Sequence, residues 1–336
     1  MLRIGINGFG RIGRTALRAG WERKELSVVA INDLTEPSTL AHLLKYDSVF
    51  RTWNLNIQAG KDHLKINGQR IPVFNQTDPA LIPWGSQEVD VVIESTGRFT
   101  KLVDARKHLE AGAKKVVISA PSDEAPTFLM GVNQTLCKKT DTVVNNASCT
   151  TNSAAPVAQI LSETIGVKKA MMTTIHSVTA EQNIVDSLPP KLKPDLRRAR
   201  SALINIVPTS TGAAKATTEV VTSLKNKFDG IAVRVPTIDV SLTDFTFVLK
   251  KKTTVDEVNT LFKNAAKSKR WKGILGVTDE PLVSTDFIGS SYGSIVDLAM
   301  TRVVDGDLLK VLAWYDNEWG YTQRLLDLVT YVGKLS

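Results

Sequence analysis

The sequence predicts an α/β protein of two domains: an N-terminal doubly wound, parallel-stranded domain, then an α+β domain with a largely antiparallel sheet. Three observations carry this reading. At 336 residues the chain exceeds what one ordinary core organises. Its first half alternates short β-branched runs with amphipathic stretches, as parallel βαβ units do. Past residue 150 the segments lengthen and alternate apolar with polar, the pattern of antiparallel strands with one covered face.

Taken in order, residues 2–7, 27–32, 89–95, 115–119 and 142–146 read as buried strands, with helices at 11–19, 40–44 and 102–111 between them. A helix is predicted over 151–164 and a strand over 168–175. Residues 228–236, 238–250 and 308–314 follow as strands, and Asp305-Gly306 makes a hairpin turn before the last. Thr254 and Glu257 frame a capping box for an apolar-periodic helix, and residues 319–332 read as a closing helix. No repeat or low-complexity linker intervenes. The domains are placed at 1–148, joined by the C-terminal helix 318–336, and at 149–317.

The composition, 43% hydrophobic and 23% charged, is that of a soluble globular protein. No apolar run reaches the roughly 18 residues a membrane span needs. The opening MLRIGINGFG enters a strand at once, so no signal peptide is expected. Two cysteines cannot build a disulfide framework, which suits a reducing cytoplasm. The formal charge is +8, but the cations are scattered. Their densest clusters, Lys191, Lys193, Arg197, Arg198 and Arg200 and the run 250–252, carry no interleaved aromatics. The charge therefore suits solubility and anionic small substrates, and no dedicated nucleic-acid or membrane partner is expected.

Gly8-Phe9-Gly10-Arg11-Ile12-Gly13 follows the first strand and opens the first helix, and Asp33 ends the next strand 20 residues past Gly13. Glycines alone would serve close helix–strand packing equally well. The acidic residue at that distance is the independent support for a dinucleotide (Rossmann) site. Gly8 makes the tight turn, Gly10 admits the pyrophosphate, and Gly13 lets the helix pack on the strand. The helix start offers unpaired N–H groups to the phosphates. Asp33 would accept from the adenosine ribose hydroxyls and repel a 2′-phosphate, which makes NAD the expected cofactor over NADP.

Ser148-Cys149-Thr150-Thr151-Asn152 lies past the fifth strand at a helix start. N–H groups and the helix dipole there are expected to stabilise a thiolate, lowering the thiol pKa, and to offer donors to an oxyanion. The competing reading of Cys149 is a small buried apolar residue; its polar neighbours argue against that. His176 ends a strand and enters a loop, a place that serves structure or a cleft equally well. Paired with Cys149 it supplies the minimal set for thiol catalysis. Cys137 is assigned no chemistry. The histidines are dispersed and no C-x-x-C occurs, so no metal site is expected.

The chain resembles the phosphorylating glyceraldehyde-3-phosphate dehydrogenase family across essentially its whole length. The matching segments are INGFGRIGR at 6–14, AHLLKYDS at 41–48, ASCTTNS at 147–153, TTIH at 173–176, LRRAR at 196–200, PTSTGAAKA at 208–216, AVRVPT at 232–237 and WYDNEWGY at 314–321. That resemblance implies Cys149 as the nucleophile and His176 as the thiol-activating base. It implies NAD contacts from Arg11, Ile12, Asp33 and Ser119, with Asn317 on the nicotinamide carboxamide and Tyr321 beside the ring. Asn7, Ser95, Thr96 and Gly97 complete the expected cofactor set. Two anion sites are implied: Thr179 and Arg234 for the phosphate of the substrate, and Ser148, Thr150, Thr211 and Gly212 for inorganic phosphate, with Arg198 contributing. Such groups suit phosphate.

The implied reaction converts D-glyceraldehyde 3-phosphate and inorganic phosphate to 1,3-bisphosphoglycerate while NAD is reduced. The thiolate adds to the aldehyde, hydride loss from the thiohemiacetal leaves a thioester, and phosphate releases the acyl phosphate. A glycolytic enzyme and a homotetramer are also implied. Ser153 departs from the family, standing where a second cysteine is common, but the chemistry requires no second thiol. Thr77 replaces an arginine found near the adenine in many members. Residues 186–195 read as a loop a few residues longer than in many bacterial members, in a region that in the family lines a neighbouring subunit's cofactor site. Leu34 and Leu188-Pro189 resemble NAD-preferring members. Erythrose-4-phosphate dehydrogenases share the cysteine and histidine but differ around the second phosphate site, where 208–216 is like the glyceraldehyde enzyme. A semialdehyde or acyl-phosphate reductase gives no reason for Thr179 and Arg234. A binding protein without activity is disfavoured because every chemically required residue is present.

Overall fold

The computed structural model describes residues 1–189 and 195–335, so part of the 186–195 loop lies outside the described residues. The chain divides into two compact units, one of Met1–Ser148 with the chain from Thr322 on, the other of Cys149–Tyr321.

The first unit is built on β1 (Leu2–Asn7), α1 (Arg11–Gly20), β2 (Leu26–Asn32), α2 (Pro37–Lys45), β3 (Ile57–Ala59), β4 (His63–Ile66), β5 (Gln69–Phe74), β6 (Val91–Glu94), α3 (Leu102–Glu110), β7 (Lys115–Ile118) and β8 (Val143–Asn145). They form one sheet in the order β3-β4-β5-β2-β1-β6-β7-β8. From β5 to β8 the pairing is parallel. β6 and β7 are buried throughout, as strands covered on both faces must be. The strand order reverses beside β1, the crevice where such sheets take ligands. β3, β4 and β5 pair antiparallel, a meander outside the expected parallel set. Its tight turn is Asn67-Gly68, both at positive φ.

The second unit comprises α4 (Cys149–Thr164), β9 (Val167–Ser177), β10 (Val207–Ser210), α5 (Ala213–Val220), β11 (Phe228–Val235), β12 (Ser241–Leu249), α6 (Val255–Lys267), β13 (Leu275–Thr278), β14 (Ser294–Val304) and β15 (Leu308–Tyr315); α7 (Trp319–Lys334) begins in it and ends in the first unit. The sheet order is β10-β11-β9-β12-β15-β14-β13. Four of its six pairings are antiparallel; β11 with β9 and β13 with β14 are parallel. Asp305 and Gly306 both take positive φ in the β14–β15 turn. Thr254 and Glu257 form both bonds of the capping box, at 3.0 and 3.2 Å.

Two predicted boundaries need correction where they bear on chemistry. His176 lies inside β9, whose ladder extends to Ser177 because β11 pairs with it to the end. β12 starts at Ser241, not at 238, because Val240 has φ +66 and cannot join a ladder. A buried β-branched residue in that region costs about 1–3 kcal/mol and persists only where its surroundings hold it. Among the described residues, no helix is long and apolar enough to cross a membrane.

Candidate functional site

In the first unit the glycine loop runs from β1 into α1. Gly8 has φ +89, and a Cβ there would meet the Thr96 backbone at 2.7 Å. A Cβ on Gly13 would sit 2.2 Å from the Gly8 carbonyl oxygen, so this glycine is what lets α1 approach the strand. Gly10 differs, since a Cβ there meets nothing within 4 Å. It occupies the N-cap of α1 without a capping side chain, so the helix start and the space above it fit a diphosphate. Asp33 closes the loop, taking the Phe9 N–H at 2.7 Å and the Thr35 N–H at 2.9 Å.

The other cofactor residues expected in the first unit cluster at the same strand ends. Ser95 Oγ lies 2.7 Å from the Gly8 carbonyl oxygen. Gly97 has φ +70 and open space above it, and the Ser119 N–H donates to the Glu94 carbonyl at 2.9 Å. The Arg11 guanidinium pairs with Asp47 and lies over Phe50. The Asn7 amide donates to Glu94 at 2.6 Å. With these side chains engaged, backbone is what both positions offer a cofactor.

Behind this loop sits a buried polar network that sequence reasoning missed. Glu94 accepts from His108 Nε2 at 2.9 Å, from Asn7 Nδ2, and from the N–H and hydroxyl of Thr96. Trp84 Nε1 donates to His108 Nδ1 at 2.9 Å, which leaves the imidazole proton on Nε2. Asn32 Nδ2 donates to Asn7 Oδ1 at 2.8 Å. One buried carboxylate, with all donors in place, thus pins the ends of β1 and β2 and the turn after β6. The legible signal was a lone glutamate ending an otherwise apolar strand, Val91-Val92-Ile93-Glu94.

In the second unit the strand register assembles the chemistry. Arg234 on β11 stands opposite His176 on β9. Leu242 on β12 stands opposite Ile175, and Ser241 opposite Tyr315 on β15. One rung therefore carries Arg234, His176, Ser241 and Tyr315 across four strands. His176 Nδ1 lies 2.7 Å from the Ser177 carbonyl oxygen. Arg234 Nη1 is 2.9 Å from that oxygen and 3.0 Å from Nδ1. A guanidinium can only donate, whereas a carbonyl has two lone pairs to offer. Both groups therefore donate to Ser177. That assignment puts the imidazole proton on Nδ1 and turns the Nε2 lone pair toward Cys149 Sγ, 3.4 Å away.

Cys149 is the first residue of α4. The thiol does not rest at a lowered pKa. Burial pushes it up to about 11, against the charge of Arg234 and hydrogen bonds from Thr150 and its own N–H. The residue keeps a partly open face, but its surroundings are dense enough to set the direction. A helix start offers about 0.3–1 kcal/mol to a nearby anion, too little to offset desolvation of a thiolate. The proton must instead be taken by the adjacent Nε2. The Tyr315 hydroxyl, kept neutral by burial, lies 2.9 Å from Thr150 Oγ1 and 2.7 Å from Thr174 Oγ1.

Thr179 and Arg234 come together, with Nη1 3.3 Å from Thr179 Oγ1. The Arg234 Nε–H is buried with no acceptor among the described residues. Arg198 is buried and occupied by Thr209 at 2.9 Å, by the Ser210 carbonyl and by Glu181. Thr211 accepts the Ala213 N–H at 3.1 Å, and exposed Gly212 caps α5, which packs on α4. Ser148 ends the first unit, directly before Cys149. Asn317 Oδ1 lies 2.8 Å from Ser241 Oγ and 3.0 Å from Ser177 Oγ. Ser241 Oγ already accepts the Ser177 N–H at 3.1 Å, so its own proton goes to Asn317 and the Nδ2 amide is free for a carbonyl. Tyr321 is buried in the first turn of α7.

Comparison with known proteins agrees with both units. A family model described as the NAD binding domain of glyceraldehyde 3-phosphate dehydrogenase matches residues 2–102, and one described as its C-terminal domain matches 148–317. Glyceraldehyde-3-phosphate dehydrogenase 1 of Bacillus cereus is 54% identical over 334 residues, 99% of this chain and 98% of that protein. The Geobacillus stearothermophilus enzyme is 51% identical over 333 residues, 98% of each chain. Glyceraldehyde-3-phosphate dehydrogenase 1 of Saccharomyces cerevisiae is 45% identical over 335 residues, 99% of this chain and all of that one.

The glycine geometry separates two substitutions. Gly10→Ala should leave stability within about 1 kcal/mol of wild type and still weaken NAD binding by at least about tenfold, because its Cβ would project only into the open space that fits the diphosphate. Gly13→Ala should lower both, because its Cβ strikes backbone. Paired denaturant unfolding and NAD titration check this, and equal NAD affinity in Gly10→Ala would place the pyrophosphate elsewhere.

Proposed function

The chain belongs to the glyceraldehyde-3-phosphate dehydrogenase family, and on that premise we propose that it oxidises and phosphorylates D-glyceraldehyde 3-phosphate with Cys149 as covalent carrier. The observation that carries this reading is the 3.4 Å approach of a proton-free His176 Nε2 to Cys149 Sγ. The imidazole takes the thiol proton as Sγ adds to the aldehyde carbon. The oxyanion so formed meets the Cys149 N–H at the start of α4 and the newly protonated Nε2. The glycine loop, Asp33, Ser119, Asn317 and Tyr321 would hold NAD, which would supply the acceptor for the hydride that leaves the hemiacetal carbon. Sulfur is left carrying a thioester.

Inorganic phosphate then attacks the thioester carbon, expels the sulfur and leaves as the acyl phosphate, 1,3-bisphosphoglycerate. Ser148, Thr150, Thr211 and Gly212 hold that phosphate, with Arg198 behind them. Thr179 and Arg234 hold the phosphate ester of the substrate, a role supported by their contact and by the unpaired Arg234 Nε. The Asp33 carboxylate beside the loop favours NAD over NADP.

A homotetramer is supported by the exposed apolar side chains Ile184, Val185, Leu188, Leu203, Ile204 and Ile206, each more than half exposed. Such a patch marks an interface. The two free thiols support a reducing, cytoplasmic setting.

Three measurements test these roles. Cys149→Ser should lower oxidation on the order of a thousandfold or more while NAD affinity stays within about threefold; retained turnover would remove the nucleophile assignment. Turnover of glyceraldehyde 3-phosphate should depend on phosphate and exceed that of erythrose 4-phosphate, and phosphate-independent rates would sink the phosphorylating step. Sedimentation equilibrium should return four chains per particle; a monomer contradicts the assembly.

A further inference from the structure

The turn from β11 to β12 carries a buried acid that the chemistry above does not use. Asp239 is 3% exposed, and neither carboxyl oxygen has a hydrogen-bond donor in place among the described residues. An anion there would be desolvated with only the Val240 N–H in its favour. Asp316 is its opposite. Equally buried, it takes the N–H groups of Gly289 at 2.7 Å, Glu318 at 2.9 Å and Trp319 at 2.6 Å. Three such donors favour a carboxylate.

The two side chains meet, and carboxyl groups in contact hold together only when one of them carries a proton. The charged groups acting on Asp239 are Asp316 and Glu318, both negative. Burial, then those charges, push Asp239 up to about 9; Asp316 is raised by burial to about 6, with its three N–H donors opposing. At neutral pH the shared proton belongs to Asp239.

The backbone points the same way. Val240 is buried with φ +66, and its carbonyl is held by Ser177 Oγ at 2.8 Å. The strained step at Val240 sets Asp239 on one side against Asp316 and Ser241 Oγ on the other against Asn317 Oδ1 at 2.8 Å. Turn 239–241 is thus tied to turn 316–319 at two adjacent points, and Asn317 is the second of them.

We propose that Asp239 is a positioning residue for cofactor binding: as a neutral acid it donates to Asp316 and holds the turn that presents Asn317. This rests on the reading of Asn317 as the partner of the nicotinamide carboxamide. The sign follows from the raised value. The contact is intact at neutral pH and is lost as pH rises through about 9, where a second buried negative charge drives the turns apart.

The test is the NAD dissociation constant of the intact enzyme, titrated from about pH 7 to about pH 10, for wild type, Asp239→Asn and Asn317→Ala. Wild-type binding should weaken about tenfold across that range. Asp239→Asn, whose amide donates at every pH, should match wild type at neutral pH and stay flat. Asn317→Ala should bind weakly throughout. An infrared difference spectrum across the transition should show a neutral carboxylic acid band lost in wild type and absent from Asp239→Asn. An Asp239→Asn enzyme that loses affinity at alkaline pH as wild type does, beside an impaired Asn317→Ala, overturns the role of Asp239. An unimpaired Asn317→Ala overturns instead the reading of Asn317 beneath it.

Discussion

Every polar group of Ser177 is committed, and the catalytic arrangement of the second unit depends on those commitments. Its carbonyl takes the His176 Nδ1 proton and an Arg234 N–H. Its N–H goes to Ser241 Oγ, and its hydroxyl lies against the Val240 carbonyl and Asn317. The residues proposed as base, anion clamp and cofactor amide, His176, Arg234 and Asn317, are therefore referenced to a single residue at the end of β9. The parallel pairing of β11 with β9 makes this possible, because it sets Arg234 level with His176. A shift of one residue would turn Arg234 to the opposite face, leaving the Ser177 carbonyl one donor and Thr179 without its arginine.

The first unit solves its own positioning problem with charge. Glu94 gathers the ends of β1, β2 and the turn after β6 around one carboxylate, and those ends carry the glycine loop and Ser95 to Gly97. A buried carboxylate is tolerable only when fully hydrogen-bonded, and here four donors meet it. The two devices are alike in kind. Each fixes strand ends by saturating one buried polar group, which preorganises the residues those ends carry.

Much of this was legible in the sequence, for reasons that differ by element. The parallel strands announce themselves by unbroken β-branched runs, and the Asp305-Gly306 turn and the Thr254–Glu257 box by local chemistry that acts within a few residues. Asn67-Gly68 carries the same kind of signal, yet the flanking strands are short and half polar, so the meander of β3 to β5 escaped notice. Cys149 and His176 were visible as residue types in suitable places. The state of the thiol was not, since a helix start is local and visible whereas desolvation depends on packing from distant segments. Ser177, Ser241, Glu94 and Asp239 lie beyond reach for the same reason, as ordinary residues made functional by long-range register and by one strained step at Val240.

These contacts describe a thiol that burial holds neutral, with a His176 lone pair fixed by Ser177 turned toward it, the arrangement the proposed activation needs. The direct measurement is the pH dependence of Cys149 alkylation by iodoacetamide in wild type and in His176→Asn. Reactivity in wild type should develop well below the pH that burial alone would impose, and His176→Asn should move the midpoint upward, toward about 11. Superimposable profiles would contradict it, because the thiol would then ionise without its base.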